Sequence, residues 1–183
     1  MNVFFLSRSS IIAAQSHADI HVGKMLLEAC QLLSTAHHEH GNGDKVTYLP
    51  THKNHPCAVW VRSSKTHYMY VAELAKNLAQ EYRNLFRTTQ ASELILEAEL
   101  MMPTPELKTM KWSDPPQCMP DEFKDADVVE AYQKYYASKA SDMKMIWNGI
   151  EDNSPWWFII NRNNYLASKG LYVKQIQTQE SIH

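Results

Sequence analysis

Over the first quarter of the chain, apolar residues recur at spacings of three and four, the period of a helix buried along one side. Val22, Met25, Leu26, Ala29, Leu32, Leu33 and Ala36 fall on one arc. This pattern predicts a helix from about Ile11 to Ala36, stopped by the glycines of "HHEHGNGD". Its polar stripe is narrow. At 100° per residue, His17, His21, Lys24 and Glu28 lie within about 60° of one another, and Gln31 and Thr35 continue the line. Ile20 and Leu27 flank the stripe on its other side, so it reads as the floor of a cleft rather than a broad solvated face.

The remaining periodicity is also helical. Val59, Trp60, Tyr68, Val71, Leu74, Ala75, Leu78, Tyr82 and Leu85 predict a helix over 58–86, with Pro56 suited to a first helical position and a break near Ser63 and Ser64. Residues 89–101 predict another. The prolines of "PTPELKTMKWSDPPQCMP" demand an irregular loop. From Pro120 a further helical stretch, acidic at its start and lysine-rich at its end, leads toward Trp147. Trp156, Trp157 and Phe158 should pack against the bundle, and residues 174–183 read as a flexible tail. Val3 to Leu6 reads as a short strand, with Ser9 or Ser10 capping the next helix. The expected architecture is all-α, a single helical domain over 1–183 with that possible N-terminal strand.

Composition narrows the function classes. A chain of 183 residues with 44% hydrophobic and 21% charged residues suits one globular domain, and five glycines favour helices over a turn-rich β fold. No apolar run approaches the roughly 18 residues that span a bilayer, so no membrane partner is expected. "MNVFFLSRSS" lacks the basic and long apolar regions of a secretion signal. Cys30, Cys57 and Cys118 are odd in number, with no CxxC pair, which fits a reducing, cytoplasmic setting. A net charge of -2 argues against a broad basic face for duplex DNA. A nucleic-acid surface would have to be a local patch, or the partner a small nucleotide.

Several residue clusters carry candidate chemistry. Eight of the nine histidines lie between His17 and His67. His17 and His21, one helical turn apart, could share a divalent metal ion with a loop histidine such as His55, and Glu28 could act as general base on a metal-bound water. The same stripe could instead be a buried polar seam, with Glu28 partnered by Lys24 or His21. In "HPCAVWVRSS", His55, Trp60 and Arg62 could form a nucleotide or anion pocket, or Trp60 could be core behind a capped helix start. Cys57 beside His55 is a further candidate nucleophile. Trp156 and Trp157 with Arg162 could stack on bases or belong to the core.

The segment Ala18-Asp-Ile-His21, followed seven residues after the histidine by Glu28, resembles the first helix of the phage endonuclease V-type pyrimidine dimer DNA glycosylases. "PDEF" at 120–123 is similar to that family's Pro-x-Glu-Phe segment, and "PWWF" at 155–158 falls in a matching aromatic tail. The chain also resembles a set of uncharacterised phage-encoded proteins of similar length. The resemblance implies a helical enzyme in the host cytoplasm that releases a damaged or modified pyrimidine from DNA. In that family an α-amine at position 2 attacks the sugar carbon to form a Schiff base, and a glutamate stabilises the charged sugar and moves protons. Glu28 would take the carboxylate role and His21 a supporting catalytic one. His17, Lys24, His55, Trp60 and Arg62 would contact substrate, with no cofactor. The chain departs from the family at Asn2, too large for removal of the preceding methionine, so that a free amine would belong to Met1. It departs again at Val3, Leu27 and Gln31, where the family has DNA-contacting arginines. A metal-dependent nucleotide or nucleic-acid hydrolase built on His17, His21 and His55, and a non-enzymatic binder of a nucleotide or host protein, are the alternatives.

Overall fold

The apolar arcs of two long helices meet at the centre of the molecule. In the computed structural model, which describes residues 2–150 and 153–171, α2 (Asp19–Glu39) and α4 (Lys65–Phe86) make the most extensive helix pair. Leu26, Leu32 and Leu33 of α2 and Leu74 and Leu78 of α4 are buried in one core. The Tyr82 ring packs directly on Gly23, where an added Cβ would lie 2.9 Å from it. The short helix α1 (Ser10–Gln15) packs on α4, and α3 (Pro56–Val61) contacts both α2 and α4. The helix α5 (Ala91–Ile95) runs on into a π-helical turn, Leu96–Leu100. On the other side, α6 (Val128–Ser138) packs with α7 (Trp156–Ser168). Among the described residues there is no strand, and no helix is long and apolar enough to cross a membrane. The architecture is all-α. The proposed tail and Met1 lie outside the described residues.

Three expectations need correction, each for a tertiary reason. The helix expected from Ile11 breaks at Ser16–Ala18, so α1 and α2 are separate. The freed backbone groups find distant partners: Ala18 N–H donates to the Tyr136 hydroxyl at 2.9 Å, Trp147 Nε1–H to Ser16 O at 3.1 Å, and Asp19 N–H to Ile146 O at 2.9 Å. The segment Val3–Leu6 is no strand. It is a buried extended stretch whose polar groups pair with side chains, Gln133 Nε2–H donating to Leu6 O at 3.0 Å, and Phe4 bends it at φ +43°. Finally, the helix expected from Pro120 begins only at Val128. Asp125 and Asp127 accept backbone N–H groups locally, Asp127 Oδ1 capping Val129 N at 2.7 Å, and so divert the chain from earlier helix formation.

The break at Arg62–Ser64 and the proline-rich loop are as expected. That loop is fixed from below by α4. Ser64 Oγ accepts both Thr66 N–H and Met110 N–H at 3.1 Å. His67 bridges Trp60 O, to which Nδ1–H donates at 3.1 Å, and Ser113 N–H, which donates to Nε2 at 3.2 Å. Trp60 stacks on the His67 ring with centroids 4.5 Å apart.

Asn148 and Gly149, at φ +52° and +73°, form a tight turn closed by Trp147 and Ile150. Asp19 accepts both turn amides at 2.8 Å, which ties the turn to the start of α2. Asp19→Ala is expected to cost about 1 kcal/mol, a fall in melting temperature of about 2–4 °C for a chain of this size. A melting curve unchanged by the substitution would show that the clamp contributes nothing.

Candidate functional site

Between the N-terminal segment, α2 and α6 lies a pocket of about 380 Å³, within the range of small-ligand sites. One wall is α2, which presents His21, Lys24 and Glu28 from successive turns. Tyr135 and Lys139, one turn apart at the end of α6, form the opposite wall. Asn2 and Phe4 reach in from the buried N-terminal segment, and His55 and Cys118 come from the loops around α3. Asn2 N–H donates to Glu28 Oε2 at 3.2 Å, and its side-chain amide donates to Cys118 O at 3.0 Å. Phe4 is partly buried against the core and stacks near Tyr135, with ring centroids 5.9 Å apart and planes at 20°. Its left-handed backbone, unusual for an aromatic residue, turns the chain so that Val3 and Phe5 are buried in the core while Phe4 lines the pocket.

His21 is held by Tyr136. The Tyr136 hydroxyl accepts Ala18 N–H with one lone pair, and the arrangement that also satisfies its buried proton has it donating to His21 Nδ1 at 2.7 Å. His21 is therefore neutral, with its remaining N–H at Nε2. Burial first, then the charges of Lys24 and Lys139, lower its pKa to about 4. Lys139 Nζ donates to the Tyr135 hydroxyl at 3.0 Å and lies 4.1 Å from that ring's centroid. The pocket thus combines a carboxylate, two ammonium groups, a neutral imidazole and two aromatic faces.

Of the residues singled out in the sequence, His21, Lys24, Glu28 and His55 line this pocket. His17, Trp60 and Arg62 do not. His17 sits in the α1–α2 break, buried against Tyr136; its Nδ1–H donates to Ala13 O at 2.7 Å, and its Nε2 has no partner among the described residues. The single stripe fails at His17 because the helix does not extend that far. Trp60 is core, donating Nε1–H to Ser113 O at 3.0 Å. Arg62 reaches Glu39 at 3.9 Å and donates to Lys53 O at 2.5 Å. Trp157 belongs to the core, while Trp156, expected to pack with it, is exposed.

Asn2, Phe4, Tyr135, Lys139 and Cys118 were not anticipated. The Tyr135–Lys139 spacing of one helical turn was a local signal for a paired wall. Nothing local linked residues 2 and 4 to α6.

The metal reading changes too. Among the described residues, His17, His21 and His55 do not gather as one ligand set. The group that does is His55, Cys57 and Cys118, whose donor atoms lie within 4.8 Å of one another. Cys57 is buried, and its thiol lies 3.6 Å from Cys118 Sγ. The hydrogen bond from Cys57 is the main reason the Cys118 thiol is lowered to about 7, while that contact and burial push Cys57 upward. Comparison with known protein families, curated proteins and solved structures yields no match to this chain.

His17 and His21 give the fold a pH signature. Burial is the leading cause of both pKa values falling to about 4, from 6.5 in the free side chain. The folded protein then binds fewer protons than the unfolded chain between these values, so stability is full above pH 6.5 and drains away as pH falls toward about 4. A complete shift of this size on buried His17 is about 3 kcal/mol. Thermal melts should drop across that window, with a shallower slope in His17→Gln. A wild-type melting temperature flat from pH 6.5 to 4.5 would contradict the assignment.

Proposed function

We propose that the pocket is the active site of a DNA glycosylase-like enzyme acting on a damaged or modified pyrimidine. The observation that carries this reading is the 3.2 Å contact between the backbone nitrogen of residue 2 and Glu28 Oε2. In the family that the α2 segment resembles, an α-amine at position 2 works beside the glutamate seven residues after the ADxH histidine. Here residues 26 positions apart in sequence meet at the same place, but the Asn2 nitrogen is a peptide amide and no nucleophile, so water takes that part. Other features agree with it. A pyrimidine nucleotide suits a volume of about 380 Å³. Phe4 and Tyr135 offer faces for a base taken out of the stack. Lys24 and Lys139 offer cations to the sugar-phosphate within a chain of net charge -2.

In this reading water adds to the sugar carbon as the glycosidic bond breaks; Glu28 stabilises the positive charge on the sugar, takes the water's proton and passes it to the departing base. His21, neutral and oriented by Tyr136, donates its Nε2–H to the substrate. The metal-hydrolase reading on His17, His21 and His55 loses its ligand set, as described above. A non-enzymatic nucleotide binder would use the same pocket without turnover.

The test is release of base from duplex oligonucleotides carrying photodimers or oxidised and methylated pyrimidines. Glu28→Gln is expected to reduce release at least about 100-fold, the size of a general acid–base contribution, with an unchanged melting temperature. No release from any of these substrates by the wild type, or equal release by Glu28→Gln, overturns the proposal.

A further inference from the structure

Beside the pocket, two stiff segments bring three soft donors together. His55 and Cys57 flank Pro56, the first residue of α3, which fixes their spacing and direction. Cys118 follows Pro115 and Pro116 in the proline-rich loop, with its N–H donating to Pro116 O at 3.0 Å and its carbonyl held by Asn2. The Sγ atoms are 3.6 Å apart. That is far from a disulfide, at about 2.0 Å. It is close to the separation of about 3.8 Å that two zinc–sulfur bonds of about 2.3 Å subtend at a tetrahedral centre. The donor set, two thiols and an imidazole within 4.8 Å, is the chemistry of zinc-class ions and not of magnesium or calcium, which prefer oxygen.

We propose that His55, Cys57 and Cys118 bind one zinc-class divalent ion at the edge of the Glu28 pocket. Binding releases the two thiol protons to solvent. It also exchanges the 3.2 Å cap contact from Cys57 N–H to His55 Nδ1 for coordination, because the neutral imidazole has a single lone pair. Three protein ligands leave a fourth tetrahedral position for water or an entering ligand atom. His55 and Cys118 both line the pocket, so the ion sits in its wall. The ion also fastens α3 to the proline-rich loop, which are otherwise joined near this point by the Cys57–Cys118 contact. The site stands apart from the glycosylase reading and does not depend on it.

The experiment is titration of the reduced full chain with Co²⁺, followed by thiolate-to-cobalt charge-transfer absorbance. One equivalent should bind with that band, and Zn²⁺ should displace it. Cys118→Ser, at a half-buried position, should abolish the band. His55→Gln should weaken binding at least 10-fold, and His52→Ala, at an exposed neighbouring histidine, should leave it unchanged. A reduced wild-type chain that develops no thiolate–cobalt band overturns the site without recourse to any variant. So does a band that survives in a folded Cys118→Ser protein.

Discussion

The Tyr136 hydroxyl is the point on which the site's construction turns. It accepts the Ala18 amide freed by the break between α1 and α2, and it donates to the ring of His21 two positions into α2. One buried oxygen therefore ends one helix, begins the next and sets the tautomer of a pocket histidine. Fully satisfied, such a group specifies one arrangement; half satisfied, it would leave a buried polar atom unpaired. Because Tyr136 belongs to α6, the same contact holds the Tyr135–Lys139 wall opposite Glu28. The pocket is the space left between elements that this tie brings into register.

How much of this was legible depended on whether the deciding partner was near in sequence. The α2 and α4 arcs, Pro56 at a helix start, the break at Ser63–Ser64 and the proline-rich loop follow from periodicity and local backbone chemistry. So does the grouping of His21, Lys24 and Glu28, which needs only a helix. His17 falls off the stripe because the helix breaks at Ser16–Ala18, where a tyrosine more than a hundred residues away accepts the Ala18 amide. Val3–Leu6 has the composition of a strand, yet among the described residues no strand lies beside it; Gln133 pairs with Leu6 O, and Tyr70 with Ser7 O just beyond. Asn148–Gly149 is a strong local turn signal. Its meaning, a clamp on Asp19, required the fold.

The proposed acid–base groups and the proposed metal ligands stand on different elements around one pocket. Glu28 and His21 stand on α2, whereas His55, Cys57 and Cys118 come from α3 and its facing loop. Asn2 touches both, through its backbone to Glu28 and its side chain to the Cys118 carbonyl.

The buried N-terminal segment has a consequence for how the chain is made. Residues 2–6 leave the ribosome long before their partners: Cys118 is 116 residues later and Gln133 127 residues after Leu6. Helices α2 and α4 can pair during synthesis, since their contacts are comparatively local. The segment that completes the pocket has to wait, with Phe4 lacking the rings of Tyr132, Tyr135 and Tyr136 until α6 emerges. Assembly of the site is thus coupled to completion of the fold, and a nascent chain stalled before α6 would carry a central helix pair but no pocket.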